Sequence, residues 1–266
     1  MKKKLFSFLF LFINSGLFSN VFRDKLFEKL RDVFIDVLGE CVFLLDYKSN
    51  KLFAGVDDIY LGVHKPCREQ DVPFDDFVKT GDVVLDVGGH IGTSMIRLAG
   101  LVGSTGHVFV VEPDSRNVGL CCLNSWVNGF SDFVSVFPMA LSTVVGRSKL
   151  FMHGDNAFGL FGSLCRDDVV AGFTWVDTIN FDVLFGLMNV DRVDFAKFDI
   201  EGFEEILFCS EVDVWENQRI GCFYVDRHSS VDYEHIERYL SGFGYSMSVV
   251  NNGNGFMFKK IDENIN

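Results

Sequence analysis

Val83-Val84-Leu85-Asp86-Val87-Gly88-Gly89-His90-Ile91-Gly92 is the stretch on which the reading of this chain turns. A short run, apolar except for Asp86, leads straight into a turn that holds Gly88, Gly89 and Gly92, and a helical stretch runs on from about Thr93 to Leu101. A short apolar run of this kind suits a strand buried on both faces. Strand, tight turn and helix in succession open a βαβ unit. Glycines in the turn allow positive φ and a close approach of the backbone to a neighbour or a ligand.

The same alternation continues in both directions. Further apolar runs lie at His107–Val111, Phe133–Phe137, Val193–Phe198 and Gly221–Val225, and a second helix is predicted from about Ser115 to Asn128, closed by Gly129. Strands that alternate with helices mean a parallel sheet with right-handed crossovers. The fold class expected is therefore α/β, a doubly wound, Rossmann-like and mostly parallel sheet. A C-terminal antiparallel hairpin should complete it, with Tyr245–Val250 and Phe256–Lys259 flanking Asn251-Asn252-Gly253-Asn254. Residues 143–178 break the rhythm: they are Gly-rich, with a short apolar stretch at Lys149–Met152, and read as an insertion with a hairpin near a substrate.

Upstream of residue 81 the texture differs. Phe22, Leu26, Leu30, Phe34 and Val37 recur at helical spacing among charged residues, which predicts an amphipathic helix over 21–38 that stops at Gly39. Apolar runs at 41–45 and 52–56, joined through Lys48-Ser49-Asn50-Lys51, suggest a hairpin. The organisation expected is an extension over 1–40, a cap over 41–80 and the main domain over 81–260. Lys2, Lys3 and Lys4 precede an apolar run from Leu5 to Ile13. That pattern is either a retained hydrophobic extension laid on a membrane or a partner, or a signal or anchor. The run is too short to span a bilayer.

Composition narrows the function classes. The 266 residues include 30 Phe, and 48% are hydrophobic, ample for one buried core. The net charge of −13 gives no basic face beyond the three N-terminal lysines, so nucleic acid is not expected as a partner. Seven Cys with no C-x-x-C pair argue against structural zinc and for reduced, mostly buried thiols. The location expected is cytoplasmic, with membrane association through residues 1–40 left open.

The candidate site residues cluster at predicted strand ends, where ligands bind in open α/β sheets. The glycines do not fit a dinucleotide fingerprint, which needs them at relative positions 1, 3 and 6. Counted from Gly88, those places fall on His90 and Thr93. An acidic-x-Gly-x-x-x-Gly pattern does fit, from Asp86 through Gly88 to Gly92, and it points to S-adenosylmethionine. Asp86 is placed to accept from that ligand's ammonium group. Glu112, at the end of the next strand, can accept from both ribose hydroxyls, while Asp114 reads as a helix cap. Asp199 and Glu201 leave a third strand in Lys197-Phe198-Asp199-Ile200-Glu201-Gly202, sharing parity with Lys197 if the strand extends that far. The acidic first-turn residue Glu204 reads as part of a helix start. His228, in Tyr224-Val225-Asp226-Arg227-His228, could serve as a general base. A divalent metal at these carboxylates stays open, though nothing in their spacing demands one.

Taken together, Asp86 to Gly92, Val111-Glu112-Pro113-Asp114, Asn128-Gly129, Ala140-Leu141-Ser142, Lys197 to Gly202, Asp226-x-His228 and Gly244-Tyr245 resemble the FkbM-type methyltransferases, over about residues 72–250. Members usually carry Asn where His90 stands and Glu where Asp226 stands. The resemblance implies an S-adenosylmethionine-dependent O-methyltransferase acting on a hydroxyl of a sugar, glycolipid or secondary metabolite. It implies that Gly88, Gly89, His90 and Gly92 hold the cofactor, that Glu112 holds its ribose, and that Met139 and Ala140 line the adenine pocket. Asp199, Glu201 and His228 are the catalytic candidates. Two other readings stay open: a non-catalytic module binding S-adenosylmethionine or a glycan, and an NAD-linked reductase or epimerase.

Overall fold

The computed structural model describes residues 42–47, 50–55, 72–153, 162–164 and 170–261. The helix expected over 21–38, and all of residues 1–40, lie outside the described residues. Two compact units are distinguished, 1–43 and 44–266, and the described fold belongs almost entirely to the second. Strand β1 (Val42–Tyr47) pairs with β2 (Asn50–Gly55) in a two-stranded sheet, the hairpin anticipated there.

The main sheet has seven strands. β3 (Val83–Val87), β4 (His107–Val111) and β5 (Val134–Phe137) step outward on one side. β10 (Val193–Phe198) and β11 (Ile220–Asp226) step outward on the other, with β13 (Gly255–Lys260) and β12 (Tyr245–Val250) at the far edge. The order is β5-β4-β3-β10-β11-β13-β12. The five strands from β5 to β11 in this order are parallel, and β13 runs antiparallel to both β11 and β12. This is the doubly wound sheet with a C-terminal hairpin that was expected. The order reverses between β3 and β10. Right-handed crossovers therefore place α2 (Thr93–Val102) and α3 (Ser115–Val127) on one face and the helices between β10 and β11 on the other.

β3, β4 and β10 are almost wholly buried, which is why they read as mainly apolar runs, interrupted by Asp86 in β3 and by Asp194 and Lys197 in β10. The larger core is aromatic. Phe181 of α4 (Phe181–Met188), Phe208 of α5 (Glu204–Ser210) and Trp215 of α6 (Val212–Glu216) meet Phe198, Phe223 and Tyr245 mostly edge to face, and Phe258 stacks on Phe223. Each such ring contributes about 1.5–3 kcal/mol by burial. On the opposite side Phe74, in the short helix α1 (Phe74–Phe77), meets Phe195 and Tyr224 edge-on. Helix α7 (Tyr233–Ser241) packs on β12.

Residues 143–178 do more than form one hairpin. β7 (Gly146–His153) pairs antiparallel with β9 (Val170–Ile179), while β8 (Gly162–Ser163) and β6 (Ala140–Leu141) complete a four-stranded sheet ordered β6-β9-β7-β8. The β2 strand is tied to the second crossover helix. Asn124 of α3, fully buried, accepts from the Phe53 N–H and donates to the carbonyls of Phe53 and Ile91. No helix among the described residues is long and apolar enough to cross a membrane.

Candidate active site

The site is built at the point where the strand order reverses, at the carboxyl ends of β3, β4 and β10, where ligands lodge in sheets of this kind. After β3 the chain turns sharply. The N–H groups of Gly88 and Gly89 both donate to the Val111 carbonyl, at 2.9 and 3.3 Å. Gly88 has φ +78°, and a Cβ there would lie 1.9 Å from the Asp199 carbonyl oxygen. Only glycine allows the β3 and β10 ends to approach so closely.

His90 has φ +47°. Histidine and asparagine are both enriched in this left-handed region, so the departure at residue 90 satisfies the same backbone demand as the Asn it replaces. Gly92, at φ +90°, precedes the first turn of α2.

Glu112 fastens this loop to β4. Its Oε2 accepts from the His90 N–H at 2.8 Å and its Oε1 from the Asp114 N–H at 2.9 Å. Burial pushes the Glu112 carboxyl up to about 7, against the opposing pull of those two donors. Asp114 is the α3 cap that was expected: its Oδ1 accepts from the N–H groups of Arg116 and Asn117, both at 3.0 Å.

A cleft opens over these ends. Its wall includes Gly88, His90, Glu112, Asp114, Asn117, Ala140, Asp199 and Glu201, with Val87, Val111, Leu141, Leu150, Leu164, Ile200 and Phe203 as its apolar part. Four carboxylates face it, and among the described residues no lysine or arginine lines it. Asn117, Leu141, Leu150 and Leu164 were not foreseen, the last two because they arrive from the 143–178 insertion.

Several expected residues stand elsewhere. Asp86 is fully buried behind the wall. It does meet an ammonium group, but one of the protein itself: Lys197 Nζ lies 3.4 Å from Asp86 Oδ1. The reason is register, since Lys197 and Asp86 are direct partners across β10 and β3. Lys197 also donates to the Gly88 carbonyl at 2.9 Å and lies 3.5 Å from Asp199 Oδ2. Gly89 and Gly92 are buried and shape the loop without entering the wall. Met139, half-buried, packs against the main core, so Leu141 takes the wall position beside Ala140. The strand parity expected for Lys197, Asp199 and Glu201 fails, because β10 ends at Phe198 and Glu201 adopts φ +55°.

His228 is not in the wall. Its side chain, 9% exposed, stands behind Asp199, with Nε2 3.2 Å from Asp199 Oδ1 and 3.8 Å from Asp226 Oδ2. The Tyr233 phenol accepts from the His228 N–H and donates to the Asp226 carbonyl, which fixes this turn. The Tyr224 hydroxyl donates to Asp226 Oδ1 at 2.8 Å. Glu204 was expected only as a helix start. It is fully buried, accepts from the Ile200 N–H at 3.0 Å, and lies 3.9 Å from His228 Nδ1. Burial raises its carboxyl pKa, opposed by the neighbouring imidazole. No local sequence signal separates this glutamate from an exposed first-turn residue.

No curated protein sequence matches the chain. Among solved structures, fibrillarin from Aeropyrum pernix with bound S-adenosyl-L-methionine is similar at a TM-score of 0.44 and 12% identity, over 82% of this chain and 81% of that one. An O-methyltransferase from Bacillus cereus in complex with SAH is similar at 0.39 and 16%, over 66% and 72%. A SAM-dependent methyltransferase from Aquifex aeolicus is similar at 0.37 and 16%, over 72% and 94%. These likenesses are remote, and the assignment rests instead on a family model. The methyltransferase FkbM domain matches residues 86–247, from the buried aspartate of β3 into β12, and the chain belongs to that family.

Proposed function

We propose that the protein transfers a methyl group from S-adenosylmethionine to a hydroxyl of a small-molecule or glycan acceptor, with the cleft at the ends of β3, β4 and β10 as the site. The observation that carries this reading is the charge of the wall: Glu112, Asp114, Asp199 and Glu201 face the cleft, and among the described residues no lysine or arginine does. Such a wall attracts a ligand with ammonium and sulfonium groups and repels a pyrophosphate. That favours S-adenosylmethionine over a nicotinamide dinucleotide, in agreement with the glycine spacing.

The residues present fit the ligand. Glu112 presents a carboxylate to a diol, and a carboxylate oxygen held by one backbone donor still accepts a second bond. Val111, Ala140, Leu141 and Leu150 give an apolar surface for a flat base. S-adenosylmethionine supplies a methyl group on a positively charged sulfur, electrophilic without further activation. The protein's contribution is to align the acceptor oxygen and relieve it of its proton. Asp199 and Glu201 are the wall carboxylates nearest His228. In this reading one of them takes the proton, worth a factor of about 10²–10⁴, and His228 orients Asp199 from behind.

The test is methyl transfer from labelled S-adenosylmethionine to a panel of sugars, glycolipids and hydroxylated metabolites. Wild type should methylate at least one acceptor. Asp199→Asn should lower kcat by about 10²–10⁴ with cofactor affinity kept. His228→Ala with full turnover would remove His228 from the mechanism. Cofactor binding without transfer to any hydroxyl would overturn the enzymatic reading in favour of a binding module.

A further inference from the structure

We propose that Asp199, Asp226 and His228 hold a divalent cation of the manganese and magnesium type at the edge of the cleft. Its binding stands on the geometry alone, and its use in catalysis rests on the function proposed above.

The three residues leave the carboxyl ends of the adjacent parallel strands β10 and β11. One donor atom from each lies within 4.8 Å of the other two. His228 Nε2 is 3.2 Å from Asp199 Oδ1 and 3.8 Å from Asp226 Oδ2. An ion with bonds of about 2.1 Å separates ligand atoms by about 3.0 Å at right angles and about 4.2 Å when they are opposed. Both His228 distances fall within that span and all three atoms lie within 4.8 Å, so a small inward turn of the two carboxylates seats one ion. Two carboxylates and one imidazole form a predominantly oxygen set, which suits Mn²⁺ or Mg²⁺ better than a thiolate-seeking metal.

The side chains are also held in pose. Asp226 turns its Oδ1 to the Tyr224 hydroxyl, and Asp199 turns its Oδ2 to Lys197. In each case the other oxygen faces His228. A second observation is independent of this geometry. The His228 side chain is more than nine-tenths buried, and its Nδ1 has no hydrogen-bond partner. Nδ1 faces Glu204 Oε1 at 3.9 Å and Glu201 Oε2 at 4.0 Å, and the other oxygen of the fully buried Glu204 is likewise unpartnered. Metal-ligating histidines present one nitrogen to the ion and the N–H of the other to a carboxylate. This imidazole is set in that relation, with carboxylates on both of its nitrogens. A cation on Nε2 would fix the proton on Nδ1, where Glu204 can accept it. It would also offset the charge of a cluster in which four carboxylates surround one imidazole. Because Asp199 is also part of the cleft wall, the ion would be tied to the cleft through that carboxylate.

The test uses the full chain, dialysed against EDTA and then freed of the chelator. Mn²⁺ is titrated in and free Mn²⁺ is followed by electron paramagnetic resonance. S-adenosylmethionine is titrated in parallel. Wild type should bind one Mn²⁺ per chain. Asp226→Asn, which preserves the side-chain shape, and His228→Ala should each weaken binding by about 10–100-fold. Asp132→Asn, at an exposed position, should leave it unchanged. Absence of Mn²⁺ binding to wild type, or equal affinity in wild type and Asp226→Asn, would overturn the proposal even if His228→Ala failed to fold. Cofactor binding without Mn²⁺ binding would sink the cation site and leave the methyltransferase reading standing. Mn²⁺ binding without cofactor binding would do the reverse.

Discussion

Replacing Lys197 by Met should be among the most costly single changes in the central sheet. The lysine side chain is 4% exposed and Asp86 is 0% exposed, with 3.4 Å between ammonium and carboxylate. Lys197 also serves the Gly88 carbonyl and the Asp199 carboxylate. Removing the cation leaves a carboxylate sealed in the sheet without its charge partner, a loss of about 3–5 kcal/mol. For a chain of this size each kcal/mol shifts Tm by about 2–4 °C, so the melt should fall by about 6–20 °C. The double variant Asp86→Asn/Lys197→Met removes both charges and should recover part of that loss, with a coupling energy of about 1–3 kcal/mol. Urea denaturation at pH 7 of wild type, both single variants and the double variant measures this coupling. A Lys197→Met cost below about 1 kcal/mol, or strict additivity in the double variant, would show that the pair is not a buried unit holding β3 to β10.

Gly88→Ala places a Cβ 1.9 Å from the Asp199 carbonyl at φ +78°. The left-handed backbone costs about 1–2 kcal/mol and the overlap about 1–3 more, so urea denaturation should show a loss of about 2–5 kcal/mol. Burial pushes the folded Glu112 carboxyl up to about 7 from its ordinary 4.5. The folded state therefore binds more protons between those values. Stability of the unliganded protein should fall as pH rises from about 4.5 to 7, by on the order of 3 kcal/mol, and Glu112→Gln should flatten that slope in thermal melts. Asp114→Ala removes the acceptor for two N–H groups of α3 and should lower stability by about 1 kcal/mol in the same melts.

The sheet was legible wherever burial on both faces left a mainly apolar run. β3, β4 and β10 begin and end as the sequence predicts, β5 starts one residue later, and β11 is one residue longer at each end. The four-stranded sheet was not legible beyond its centre, because β9 leaves Phe173 and Trp175 half-exposed and presents no one-sided apolar alternation. Helix α4 escaped notice because Phe181, Leu184, Phe185 and Met188 lie in a short segment wedged between the insertion and β10.

At the site, strand-end acidity marked Glu112, Asp199 and Glu201 as wall residues. It could not separate them from Asp86, whose direction depends on its partner across the sheet. Lys197 illustrates the limit: only the register of β10 on β3 shows that its charge is spent inside the protein. The gathering of Asp199, Asp226, His228 and Glu204 depends on two strands lying side by side, which no local pattern encodes.

The function proposed for the cleft depends on its binding S-adenosylmethionine through Glu112. The decisive experiment is calorimetric titration of the purified protein with S-adenosylmethionine, with NADH and Glu112→Ala as controls. S-adenosylmethionine should bind, NADH should not, and the former should be lost in Glu112→Ala while the variant still melts cooperatively. Binding of NADH without S-adenosylmethionine, or undiminished S-adenosylmethionine affinity in Glu112→Ala, would contradict that assignment.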